Sequence, residues 1–205
     1  MNVLIINGSP HLKGNTSIAI NELVKTFDKN GVETEVVNVG PKDIRGCTAC
    51  YKCAETGKCV FNDLVNETAP KFEKADGLII ATPVYYACAN ATLVAFVQRL
   101  FFSTHFDKTM KVGASVVVSR RGGCSATFDE LNKFFTISNM PIASSQYWNS
   151  VHGRKQGEAS QDAEGLQTMR TLANNMSFLM KSIALGKEKF GLPEKEEWIA
   201  TNFIR

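Results

Sequence analysis

No apolar run in this 205-residue chain approaches the roughly 20 residues that a membrane-crossing helix requires. The N-terminus sets no basic segment ahead of a long apolar stretch, so it does not read as a secretory signal. An excess of one charge is missing too. Lys and Arg number 23 against 20 Asp and Glu, a net +3 with no Lys/Arg run, which argues against a nucleic-acid partner. There is no internal repeat, no low-complexity segment and no convincing domain boundary. What remains is one soluble domain, expected to be cytoplasmic and to have no membrane partner, long enough to bury a core without staples. Its six cysteines are then expected as thiols or ligands and not as disulfides.

What is present alternates. Val3 to Ile6 form a short buried-strand signal that runs into a loop holding Gly8, Ser9, Pro10, Gly14, Asn15 and Thr16. Ile20, Leu23, Val24 and Phe27 then recur at helical spacing, with Gly31 as a stop. Further strands are expected at Val32–Val39, Leu78–Thr82 (stopped by Pro83), Val112–Val118 and Ile142–Trp148. Helices are expected from Asp63 or Asn66 through Phe72, over Asn90–Phe102 and Phe128–Phe135, and from Asp162 or Glu164 to Gly186. Gly40–Asn62 reads as a long irregular segment with four cysteines, and Asn149–Gln161 as a polar loop.

Five short apolar strands separated by helices imply an α/β fold, a doubly wound parallel sheet with helices on both faces. The domain is read as residues 1–186, with 187–205 a tail over the surface or against another subunit. In such a sheet ligands bind beyond the carboxyl ends of the strands, at the switch point. Three loops at that edge have unusual residues: Gly8–Thr16, Pro83–Ala89 and Ser119–Ser125. The first is neither G-x-x-x-x-G-K-[ST] nor G-x-G-x-x-G, yet a strand passing through Gly, Ser and Thr into a helix N-terminus builds an anion site. An ordinary strand–helix turn with an Asn or Thr cap gives the same local pattern.

G-S-P-H-x-x-G-N-T at the start, T-P-V-Y-Y after the third strand and S-R-R-G-G after the fourth resemble the NAD(P)H-dependent FMN reductases. C-T-A-C-Y-K-C-x5-C narrows the resemblance to their iron–sulfur flavoprotein branch. The resemblance implies a flavodoxin-like sheet in order 2-1-3-4-5 with FMN at its edge. It also implies subunits that complete each other's flavin pocket, as a homodimer or tetramer. The chain departs from the family at His11, where Arg is usual, and at Gln98, where an acid tends to precede Arg99.

On that resemblance Ser9, Asn15, Thr16 and Ser17 would donate hydrogen bonds to the FMN phosphate, with His11 beside it. Pro83, Val84, Tyr85 and Tyr86 would hold the isoalloxazine ring, although a tyrosine pair there also suits a core or subunit contact. Ser119, Arg120, Arg121, Gly122 and Gly123 would let backbone approach the pyrimidine end, where a cation stabilises reduced flavin. Trp148, Asn149 and His152 would line the substrate side, a lone histidine being as ordinary in a structural role. Phe101, Phe102 and Phe106 exceed what one helix face needs, which points to a dimer interface.

Cys47, Cys50, Cys53 and Cys59 are spaced more like ferredoxin ligands than like the paired knuckles of zinc sites. A [4Fe–4S] cluster, zinc, and free thiols all remain open readings. Cys88 and Cys124 have no partner spacing, and Cys88 reads as a small buried apolar residue. The leading functional expectation is an FMN-dependent oxidoreductase, taking hydride from NAD(P)H and passing it to a small acceptor such as a flavin, quinone, nitro- or azo-compound. Cofactor chemistry of this kind needs no protein acid or base, so no catalytic residue is expected. The alternatives are an iron–sulfur flavoprotein taking electrons from a ferredoxin-like donor, and a flavodoxin-like carrier without turnover. Iron content separates the first alternative, and steady-state NAD(P)H oxidation the second.

Overall fold

Buried on both faces, a strand must offer apolar side chains alternately to two helical layers, and β1 (Asn2–Asn7) does so. In the computed structural model, which describes residues 1–197, 199–201 and 203, Val3 and Ile5 face one core while Leu4 and Ile6 face the other. The same alternation runs through β3 (Gly77–Tyr85), where Ile79 and Ala81 oppose Leu78 and Ile80. With β2 (Glu33–Asn38), β5 (Val112–Ser119) and β6 (Ser150–His152), these strands form a parallel sheet in the order β2-β1-β3-β5-β6. Counting only the parallel strands, this is the expected order 2-1-3-4-5. The two-residue β4 (Cys88–Ala89) pairs antiparallel with the end of β3.

One core lies under α1 (Asn15–Lys29) and α6 (Ala163–Phe190), which pack on each other through Leu23, Phe27, Met169, Leu172 and Met176. The other lies under α3 (Leu64–Lys74), α4 (Ala91–Ser103) and α5 (Cys124–Ile137), filled by Phe72, Phe96, Leu100, Leu131 and Phe135. The cysteine segment is irregular except for α2 (Lys52–Thr56), a single short turn of helix.

Four boundaries differ from expectation, one being the start of α5, which opens at Cys124 after Gly123 and not at Phe128. Pro83 does not stop the third strand: it pairs with Val118, and the strand continues through Tyr85 before folding back as a hairpin. Gly186 does not end the last helix, which runs to Phe190 and closes at Gly191 with φ of 75°. A glycine inside an exposed helix costs only about 1 kcal/mol, which the packed stripe of α6 outweighs. The fifth parallel strand is Ser150–His152, not Ile142–Trp148. Ile142 bridges Gly113 and Ser150 pairs with Val117, so the edge chain spends eight positions against four on β5, and Ala143–Asn149 bulge away.

The phenylalanine excess is mostly internal. Phe101 packs on Phe72 at 5.3 Å and Phe134 at 5.4 Å, and Phe106 on Phe72 at 5.1 Å. Only Phe102 is more than half exposed, and its ring meets Tyr51 edge-on at 6.2 Å. So two of the three serve this chain's own core. No described helix is long and apolar enough to cross a membrane.

Gly113 lies where β5 meets α5, and a Cβ added there would sit 2.4 Å from the Phe135 ring. Overpacking of that kind costs about 1–3 kcal/mol. Gly113→Ala is therefore expected to lower the urea midpoint with an unchanged slope, and an unaltered midpoint would show that α5 gives way freely.

Candidate functional site

The carboxyl ends of β1 and β3 flank the point where the strand order reverses, and the unusual loops gather there. The first is held from inside. Asn7, 2% exposed, accepts from the Ser9 N–H at 3.0 Å and donates to Asn38 Oδ1 at 2.9 Å. Ser9 Oγ in turn accepts from the His11 N–H at 3.2 Å. Gly40 presses against this loop so closely that a Cβ there would lie 2.2 Å from the Ser9 carbonyl carbon. On the other side, a Cβ on Gly8 would lie 2.6 Å from Leu93 on α4. Asn7 and Gly40 are site-shaping residues that sequence reading missed. Asn7 ends the first apolar strand as a polar residue, which was the available signal for it.

Helix capping singles out the same edge. Asp63, Asn90 and Asp162 cap α3, α4 and α6 by accepting from the Val65, Leu93 and Gly165 N–H groups. Helices α1 and α5, which follow β1 and β5, begin at Gly14 and Gly123 with no side-chain cap and no acid in the first turn. Among the described residues, no protein acceptor takes the N–H of Asn15 or Thr16, and the Thr16 hydroxyl makes no internal hydrogen bond. A side-chain cap is worth about 1 kcal/mol, so two uncapped, like-facing termini are a standing electrostatic demand for an anion.

The expected phosphate residues are not equally available. Ser9 is buried within its loop, His11 is exposed beside it, and Ser17 Oγ donates to the Leu12 carbonyl at 2.8 Å. The Asn15 amide is turned away: it donates to Lys155 O at 2.9 Å and accepts from the Gly157 and Ala159 N–H groups at 3.1 and 3.2 Å. Asn15 thus fastens the loop after β6 to α1, and only its backbone N–H is left for an anion.

The second and third loops touch. β3 and β4 join through Tyr86 and Ala87, both left-handed at φ of 51° and 61°, a turn that ordinarily selects Asn-Gly or Gly-Gly. Gly123, at φ of 92°, fits against that turn, and a Cβ on it would lie 2.8 Å from Ala87 Cα and 2.9 Å from Val84 Cγ1. Strain of this sort costs about 1–3 kcal/mol per residue and persists where the surroundings enforce it. Pro83 and Val84 are partly buried in the strand end, Tyr85 is nearly half exposed and Tyr86 fully so. Arg120 and Arg121 are exposed, and Gly122 has open space around it.

Behind the third loop, the buried Ser119 hydroxyl accepts from the Cys124 thiol at 3.0 Å and lies 3.4 Å from His152 Nδ1. Burial pushes the Cys124 thiol up, only partly offset by Ser119. The expected substrate residues divide. His152 ends the fifth strand at the shared edge, whereas Trp148 stacks on Tyr147 at 5.0 Å out on the bulge. Asn149 is 1% exposed and spends its amide on Ser115 O and Ser145 Oγ, bracing the bulge. Cys88, expected to be buried, is exposed because the turn lifts β4 off the sheet.

The four clustered cysteines line a single small cavity with Tyr51, Val60, Phe61, Arg99 and Phe102. Left-handed Ala49 and Tyr51, at φ of 51° and 56°, curl the segment around it. Cys53 is buried, Cys59 half-buried, and Cys47 and Cys50 exposed at the rim. Among the described residues, no three thiols converge as a single-ion site would require. Four cysteines lining one hollow are the donor set that a cubane cluster, bound through four separate irons, would need. Cys47 Sγ accepts from the Ala49 N–H at 3.4 Å, and Cys59 Sγ from Arg99 Nε and Nη2 at 3.3 and 3.2 Å. Arg99, lacking an acid at position 98, pairs instead with Asp63 at 2.7 Å. Burial alone would lower the Arg99 guanidinium, but Asp63 and Cys59 more than reverse that and raise it.

Alkylation with iodoacetamide at pH 8 is expected to modify exposed Cys88 before Cys124, by roughly tenfold in rate. Equal rates by peptide mapping would contradict the burial of the Cys124 thiol.

Comparison with known proteins agrees with this arrangement. Residues 1–155 match the family described as NADPH-dependent FMN reductase. An iron-sulfur flavoprotein of Methanocaldococcus jannaschii is 32% identical over 191 residues, which is 89% of this chain and 99% of that protein. One of Methanosarcina thermophila is 28% identical over 193 residues, 92% of this chain and all of the other. Among solved structures, RosB with bound 8-demethyl-8-formylriboflavin-5'-phosphate superposes with a TM-score of 0.72 at 18% identity, over all of this chain and 94% of RosB. An archaeal flavodoxin gives 0.60 at 11% identity, over 88% of this chain and 99% of its own. Those two likenesses speak for the fold, which is flavodoxin-like. The sequence matches go further, to flavin-dependent oxidoreduction, and by them the chain belongs to the NADPH-dependent FMN reductase family.

Proposed function

We propose that this protein is an electron-transfer flavoprotein holding FMN at the switch-point loops and a [4Fe–4S] cluster on Cys47, Cys50, Cys53 and Cys59. The observation that carries the flavin half is the pair of uncapped helix N-termini, α1 and α5, at one sheet edge. The observation that carries the cluster half is the single cavity lined by all four cysteines. When bound, FMN supplies chemistry that exchanges electrons singly or in pairs, which lets it link a one-electron carrier to a two-electron acceptor.

The residues divide the remaining work. The Thr16 hydroxyl and the free N–H groups of Asn15 and Thr16 would take the phosphate, with Lys13 as the nearby positive charge and the exposed His11 beside it. The strand end Pro83–Tyr85 and the strained turn at Tyr86 present a flat apolar wall to the ring. Gly122, Gly123 and the first turn of α5 offer backbone N–H groups to its polar edge, with Arg120 and Arg121 favouring negative charge there. Tyr51, Phe61 and Phe102 would form the apolar wall beside the cluster. A one-electron donor of ferredoxin type would supply electrons to the protein, and a small acceptor would be reduced at the exposed side of the switch-point loops.

A second reading, in which NAD(P)H is the direct donor, is favoured by the exposed Arg120 and Arg121, which suit a 2′-phosphate. The deciding experiment begins with protein purified without oxygen and assayed for flavin and iron together. Absorbance near ~375 and ~450 nm with about four irons per chain supports the proposal. Flavin without iron, combined with steady NADPH oxidation, moves the assignment to the second reading, and protein that takes up no FMN sinks both.

Two variants separate the halves of the site. Cys59→Ser is expected to lose most of its iron and keep its flavin. Gly40→Ala, whose Cβ would displace the Ser9 backbone, is expected to weaken FMN binding at least tenfold by fluorescence titration while iron is retained. Equal losses of both cofactors in either variant would show that the two sites are not independent.

A further inference from the structure

Arg99 is the only charged side chain among the fully buried residues described, at 1% exposure. A guanidinium in that position is tolerated only if its donors find partners, because an unpaired buried charge costs several kcal/mol. One edge is satisfied by Asp63, with Nη1 to Oδ2 at 2.7 Å and Nη2 to Oδ1 at 3.0 Å. Nη1 and Nη2 also reach Arg45 O at 3.3 Å and Phe61 O at 3.4 Å. The other edge, Nε with Nη2, is aimed at one atom, Cys59 Sγ, at 3.3 and 3.2 Å. Asp63 is itself fixed as the cap of α3, and the Phe61 ring centroid lies 5.1 Å from the guanidinium carbon.

A neutral thiol is a weak acceptor and a poor use of two cationic N–H groups. A thiolate makes both bonds charge-assisted. The other three sulfurs have nothing equivalent. Cys47 receives one backbone N–H, Cys53 is placed to donate to Phe102 O at 3.9 Å, and Cys50 has no hydrogen-bond partner among the described residues.

We infer that Arg99 is a positioning residue for the ligand Cys59, orienting its sulfur and holding the cluster at a more positive reduction potential than the four cysteines alone would set. The inference rests on the cluster reading above. Reduction adds one electron, delivered by a one-electron carrier of ferredoxin type, and no bond is made or broken. The added negative charge spreads onto the thiolates, and N–H donors on those sulfurs stabilise the reduced form more than the oxidised one. Asp63 offsets part of the guanidinium charge, while the Nε and Nη2 donors stay directed at the sulfur.

The test is an anaerobic redox titration of the iron-loaded protein, followed by the electron paramagnetic resonance signal of the reduced cluster. Arg99→Gln is expected to shift the midpoint to a more negative value. Arg99→Lys, which keeps the charge but loses the two-pronged donor, is expected to fall between that variant and the wild type. Iron content and thermal midpoint are measured on the same samples. A merely structural arginine would lower the thermal midpoint and leave the potential of the loaded protein where it was, and that result overturns the inference. Should Arg99→Gln fail to load iron, Arg99→Lys decides alone: a wild-type potential in that variant refutes the role. Wild-type protein that holds no iron fails at the earlier step, and the cluster reading falls with it before any variant is compared.

Discussion

The constraint on which the rest depends is that the three central strands of the parallel sheet, β1, β3 and β5, are buried on both faces. Their ladder satisfies the backbone throughout the interior, so unpaired polar backbone is available only at the ends. At the carboxyl end the chain turns from strand to helix, and the orphan N–H groups of each helix must be met by something. Where the next element needs only stability, a side chain meets them, as Asp63, Asn90 and Asp162 do. Where it does not, at α1 and α5, the demand stands open toward the crevice. The absence of acids from both first turns has the same sense, since a carboxylate there would compete with a phosphate. The site is thus written as much in what is withheld from two helices as in what is placed in their loops.

The loops are in turn rigid because they brace one another. Gly40 pressed on Ser9, Gly8 on Leu93 and Gly123 on Ala87 are contacts at which no side chain would fit without displacement. Asn15 and Asn149 extend the bracing to the far side. The first ties the 155–159 segment to α1, and the second pins the bulge that precedes the fifth strand. Both are polar residues at the right end of the sheet, which is why sequence alone reads them as ligand contacts. Their neighbours in space, Lys155 and Ser115, lie 140 and 34 positions away, and no local pattern carries that information.

Periodicity made the strands, the main helices and the sheet order legible, because each depends on the spacing of apolar residues along a short window. What escaped was set by distant partners. Pro83 reads as a strand terminator by its missing N–H, but its pairing with Val118 at the strand's end tolerates that loss. The fifth strand was displaced because Ile142–Trp148 is apolar enough for a strand, whereas the register against β5 admits only its first residue before the bulge. Phe101 and Phe106 looked surplus because α3 and α5, which supply Phe72 and Phe134, come from elsewhere in the chain. Similarly, Gln98 suggested an arginine without a carboxylate, and Asp63 supplies one from the cap of another helix.

Helix α4 is what relates the two proposed sites. Its first turn holds Leu93 against Gly8 of the first loop, and its last two turns carry Arg99 and Phe102 into the cysteine cavity. From Leu93 to Arg99 and Phe102 the helical rise is about 9 and 14 Å. A packed helix of this kind, with Phe96, Val97 and Leu100 fully buried, does not flex by a residue to bring the sites together or apart. The separation is therefore built into the fold and not set by loop motion. On the proposed reading, the charges at the two ends are then what would tune electron passage between the sites. On the cysteine side the one charged group among the described residues that is hydrogen-bonded to a sulfur is Arg99, held by Asp63 on its other edge. Tuning of the cluster, on the proposed reading, falls to a residue that contributes no ligand and whose burial is already supported by its ion pair with Asp63.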